Sequence, residues 1–85
     1  MSNLQYKLKF TVTTPLGTFT GYGSKEGYSH DNIKNGVDLL ESSLNRLTKL
    51  ALYCEDNSEI WLNENILKQS VIQFRIISFL VKPGA

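Results

Sequence analysis

From residue 4 to residue 13 the chain alternates without a break. Leu4, Tyr6, Leu8, Phe10 and Val12 fall on one side, and Gln5, Lys7, Lys9, Thr11 and Thr13 on the other. A β-strand turns successive side chains to opposite faces, so this period of two predicts a strand with one buried and one wet face. A strand of that kind cannot stand alone. It needs neighbours to take its backbone hydrogen bonds and a second layer to cover its apolar side, and the rest of the chain has to supply both.

The neighbours are legible further along. Thr14-Pro15-Leu16-Gly17 carries turn chemistry, and residues 18–22 can return antiparallel, with Gly21 and Gly23 predicting a bulge or a frayed end. Residues 50–54 and 59–62 read as a second hairpin around the turn Glu55-Asp56-Asn57-Ser58, and residues 71–81 as the last and longest strand. The cover is a helix. Ser29 or Asp31 offers an N-cap oxygen, and Ile33, Val37, Leu40, Leu44 and Leu47 recur at steps of four and three along one stripe. Gly36 sits beside that stripe, either for close approach to the sheet or simply tolerated there. Residues 63–68 predict one capped helical turn that sets Ile66 and Leu67 on the core.

This order of elements resembles the β-grasp arrangement of ubiquitin-like domains over residues 4–81, on element order alone; the closing Pro83-Gly84-Ala85 differs from the Gly-Gly end of conjugated modifiers. A purely antiparallel sheet with one helix across a face accommodates the same order. The expectation is therefore an α+β fold: a small mixed or antiparallel sheet of about five strands, with one main helix on one face. At 85 residues the chain has room for one domain, residues 1–85, with an ordered core at about 4–81 and a tail at 82–85. So short a chain buries a modest share of its surface, which makes a second copy a natural extension of its core.

Nine basic and eight acidic residues leave a net charge of +1, so composition supplies no field to draw in a polyanion, and nucleic acid is not the expected partner. The single Cys54 permits no internal disulfide, the N-terminal residues lack a basic and apolar leader, and no apolar run approaches the length of a membrane span. These features read as cytoplasmic. His30 is the only histidine, and no paired-cysteine or paired-histidine spacing offers a metal or cofactor site. Cys54 precedes Glu55 and Asp56, whose charges would raise a thiol pKa, so it reads as a small packing residue. The chain is expected to be non-enzymatic.

Two features invite a functional reading. Residues 21–29 hold Gly21, Gly23 and Gly27 ahead of a helix, where backbone N–H groups can cradle an anion; Tyr22, Lys25, Tyr28 and His30 would be the side chains of such a small-ligand or nucleotide site. The spacing matches neither a dinucleotide fingerprint nor a P-loop. The second feature is the last strand. Ile72, Phe74, Ile76 and Leu80 are assigned to the core face, yet Ile77, Phe79 and Val81 make its second half apolar on the other face too. Tyr53 and Trp61 are likewise out of phase with the core set Leu50, Leu52, Ile60 and Leu62. Tyr53, Trp61, Ile77 and Phe79 are thus expected on the uncovered face as an interface, unless residues 21–29 or the tail fold over it. The function expected is a self-associating protein-interaction domain of adaptor or inhibitor type, forming a dimer. A single-stranded nucleic-acid binder using these rings beside Lys7, Lys9 and Arg75 is the third alternative.

Overall fold

The computed structural model describes residues 4–81. Strands β1 (Leu4–Thr14) and β2 (Gly17–Tyr22) form the first hairpin. Helix α1 (His30–Ser43) follows and tightens into a 3₁₀ turn at Leu44–Arg46. Strands β3 (Lys49–Tyr53) and β4 (Glu59–Asn63) form the second hairpin, and the short α2 (Glu64–Lys68) leads into β5 (Val71–Leu80). All five strands join one sheet in the order β4-β3-β2-β1-β5, antiparallel at every seam. The fold is α+β, and of the two arrangements left open by the sequence the chain adopts the purely antiparallel one. The segment expected as a tail, residues 82–85, lies outside the described residues.

β1 anchors the sheet. It pairs with β5 from Leu4↔Leu80 to Thr13↔Val71 and with β2 from Lys9↔Tyr22 to Thr14↔Gly17. The seam between the two hairpins is far shorter, a single pair at Tyr22↔Tyr53. Gly21 makes that seam close: a Cβ there would come within 2.7 Å of the Leu52 Cβ. The position read as a bulge therefore lies in regular β structure, and its missing side chain is what lets β2 approach β3.

Alternation along each strand sends Leu8, Phe10, Val12, Phe19, Leu50, Leu52, Ile60, Leu62, Ile72 and Phe74 to the helix side, where they meet in one core. Leu52 and Val12 are fully enclosed, and the Phe10 and Phe74 rings touch at 5.8 Å across the β1–β5 seam. The Ser29 hydroxyl accepts from the Asn32 N–H, and α1 lays Ile33 fully, and Leu40 partly, on the sheet. The Asn63 side chain caps α2 in the same way, by accepting from the Ile66 N–H, and buries Leu67, as the local pattern predicts.

The helix is narrower than the sheet. It packs mainly on β1, and β5 lies one strand further out. Ile76 and Leu80, assigned above to the core, are consequently 47% and 76% exposed. The assignment of face is right and that of burial is not, because the second half of β5 extends past the helical cover.

Candidate functional site

The side of the sheet turned away from α1 carries one continuous row of directly paired residues: Glu59, Tyr53, Tyr22, Lys9 and Arg75, running from β4 through β3, β2 and β1 to β5. The next row on the same face holds Trp61 opposite Ala51 at one end and Lys7 opposite Ile77 at the other. Gln5 pairs with Phe79 one pleat beyond. Rings and cations interleave across this open face. The Lys7 Nζ lies 5.1 Å from the centre of the Tyr22 ring and 5.4 Å from that of Phe79, and the Lys25 Nζ lies 5.6 Å from that of Tyr53. Such contacts are worth about 0.5–1 kcal/mol at exposed sites.

Two shallow depressions open on this face. One, of about 470 Å³, is walled by Lys7, Tyr22, Lys25, Tyr53 and Glu55. The other, of about 420 Å³, is walled by Lys9, Thr11, Thr20, Gln73 and Arg75. In the first, Lys25 pairs with Glu59 at 3.7 Å and the Tyr22 hydroxyl donates to Glu55 Oε1 at 3.1 Å. In the second, Lys9 and Arg75 stand directly opposite each other on adjacent strands. Like charges so placed are destabilising, and neither makes a salt bridge among the described residues.

Tyr53, Trp61, Ile77 and Phe79 share this face as expected, but they do not make one patch. Tyr53 and Trp61 lie on β3 and β4, Ile77 and Phe79 on β5, with β1 and β2 between them. At about 4.8 Å per strand, Trp61 and Ile77 are some 19 Å apart. Trp61 is 59% exposed, whereas Phe79 is half-buried because the loop after β2 rests on it. A Cβ on Gly27 would come within 2.6 Å of both the Phe79 ring and the Gln5 side chain. That loop returns to the sheet at Tyr28, which exchanges both backbone hydrogen bonds with Tyr6.

The same loop geometry separates the four side chains read as a small-ligand site. Tyr22 and Lys25 stand on the open face. Tyr28 instead lines an apolar groove of about 700 Å³ between α1 and the sheet with Leu8, Ile33, Leu40 and Leu47. His30 packs edge-on against Tyr6, ring centres 5.6 Å apart, at the start of α1. No common cradle forms, and at least one loop glycine serves close packing instead.

The sheet's free edges differ. β4 closes one side with five residues and carries Glu59, whereas β5 closes the other with ten residues, of which only Arg75 is charged. No described strand faces the outer side of β5. Along that edge Ile76 and Leu80 project on the helix side and Ile77 and Phe79 on the open side. Sequence reasoning found Ile77 and Phe79 and missed Ile76 and Leu80, whose signal was present in the two-sided pattern but whose exposure depends on how far α1 reaches.

Cys54 is half-buried with its Sγ 4.0 Å from the Thr20 carbonyl oxygen. Among the described residues no three His, Cys, Asp or Glu side chains gather to hold a metal ion, and no helix is long and apolar enough to cross a membrane. No protein-family model, no curated protein and no solved structure matches this chain.

Proposed function

We propose that this chain is a non-enzymatic interaction domain that pairs with a second copy of itself along β5. The observation that carries the reading is the edge itself: ten residues long, one charge, and apolar on both faces over its second half. Edges of that kind are ordinarily kept short, charged, bulged or covered, because an unpaired row of N–H and C=O groups templates another strand. β4 shows the short, charged form of that protection and β5 does not.

Two β5 strands pairing antiparallel about a two-fold axis would extend the sheet from five strands to ten. Pairing centred near Ser78 satisfies the outward backbone groups of the second half of β5. It also brings Ile76 and Leu80 of each copy together on one side and Ile77 and Phe79 on the other, removing apolar surface from water at about 25 cal/mol per Å². Light scattering on size-fractionated protein tests this. The expected mass is twice the 9.6 kDa of one chain, falling to a single chain in the Ile76→Glu, Leu80→Glu double variant. Both side chains are substantially exposed in the single chain, so the variant should remain folded by circular dichroism. A wild type that stays at 9.6 kDa into the millimolar range contradicts the proposal.

A further inference from the structure

The chain's charge is nearly balanced overall but unevenly placed. Lys7, Lys9, Lys25, Lys49 and Arg75, five of its nine basic residues, lie on the open face. Four acids lie on or beside that face: Glu59 is engaged by Lys25, Glu55 accepts from Tyr22, Asp56 is held by Ser58 at the hairpin tip, and Glu26 follows Lys25 in the loop that crosses the face. The remaining cations have no acidic partner among the described residues. Asp31, Asp38, Glu41 and Glu64 sit on the helices of the opposite side, together with Lys34, Arg46 and Lys68. The positive charge of the open face is therefore local: Lys9 and Arg75 stand directly opposed, Lys7 lies one pleat away, and none of the three has an acidic partner among the described residues.

The rings on that face step across it at strand spacing. Tyr22 and Tyr53 are a direct cross-strand pair, and Trp61 is diagonal to Tyr53, placements that put Cβ atoms about 5 Å and 7–8 Å apart. Threonine and amide groups, Thr11, Thr20 and Gln73, fill the floor between the cations. Of these rings Trp61 is exposed and Tyr22 and Tyr53 are half-buried under Lys7 and Lys25. Cations for phosphates together with rings for unstacked bases is the chemistry by which single strands are held without sequence readout. An acidic peptide would satisfy the cations and leave the ring row unused. A lipid surface would want exposed aliphatic side chains, and those of this chain lie along β5, at Leu4 beside it, in the first hairpin turn at Leu16 and on α1 at Leu39, not around Lys9 and Arg75.

We propose that the open face binds single-stranded nucleic acid, with phosphates on Lys7, Lys9 and Arg75 and bases stacked on Tyr22, Tyr53 and Trp61. Lys7, which rests over the Tyr22 ring in the unliganded chain, swings to a phosphate and leaves the ring to a base. The reading is independent of self-association. It also gains from it, because antiparallel β5 pairing turns both open faces to the same side and sets the two Arg75 residues near the seam.

The test is fluorescence anisotropy of a labelled oligo-dT of about 15 nucleotides, a length within the range of single-strand site sizes, titrated with the wild-type chain. With three phosphates neutralised, affinity should fall roughly 16-fold between about 50 and 200 mM salt, a log–log slope of about −2. Lys9→Ala with Arg75→Ala should weaken binding and flatten the slope to about −0.7. Trp61→Ala should weaken it about tenfold at unchanged slope. The Ile76→Glu, Leu80→Glu variant should still bind, which separates this site from the β5 edge. Absence of binding in low salt overturns the proposal. So does binding indifferent to Lys9, Arg75 and Trp61, or equal binding to polyglutamate, to anionic vesicles or to duplex DNA.

Discussion

Tyr22 sits where the two hairpins meet. Partial burial first, then the hydrogen bond to Glu55 and the charge of that carboxylate, hold its phenol above the ordinary value, while Arg75 pulls the other way. A phenol that keeps its proton more tightly in the folded chain contributes stability that is whole below pH of about 10 and is lost as pH rises through the folded value. The β2-to-hairpin tie should therefore weaken in alkali. Thermal unfolding at pH 7 and above pH 10 is expected to show a larger loss for the wild type than for Tyr22→Phe; parallel curves would contradict it. Asp56 behaves oppositely at the hairpin tip. The Ser58 hydroxyl and N–H both donate to its carboxylate and hold its pKa below the usual carboxylate range. What it adds is present at neutral pH and disappears as pH falls through the folded value. With Asn57 at φ 69°, a region that Asn tolerates, Asp56 and Ser58 read as a self-organised turn.

At the scale of elements, local pattern is a good guide to type and a poor one to neighbours. The period of two in β1, the helical stripe from Ile33 and the Asn63 cap of α2 all express local geometry, and the structure has each of them, although α1 ends at Ser43 and Leu47, expected on its last turn, packs on the core from extended backbone. Which strand lies beside which depends on contacts far apart in sequence. Pairing of β5 with β1, and not with β4 that precedes it, puts Ile77 and Phe79 across the sheet from Tyr53 and Trp61. Period two correctly places these four on one face and carries no information on how many strands separate them. Gly36 gives a sharper case. The sequence left open whether it is needed for close approach, and a Cβ there meets nothing within 4 Å. Gly36→Ala should accordingly stabilise α1 by about 0.5–1 kcal/mol through helix propensity, raising the melting temperature by roughly 2–8 °C. An unchanged or lowered melting temperature would show that the groove beside α1 closes more tightly than this packing implies.

For the whole molecule, two properties emerge that no composition contains. Folding gathers Lys7, Lys9 and Arg75 into one unpaired cluster on the open face although the net charge is +1. Folding also leaves a ten-residue strand at the edge of the sheet, half of it beyond the reach of α1. The second property is the foundation of the functional reading, and amide hydrogen exchange along β5 examines it residue by residue. In an isolated chain alternate amides of residues 71–80 bond to β1 and the others face water, so protection should alternate; a paired edge protects both sets. The wild type at high concentration is expected to show unbroken protection over residues 76–80, the half of β5 that pairs, reverting to alternation in the Ile76→Glu, Leu80→Glu variant. Alternating protection in the wild type at every concentration would contradict β5 pairing.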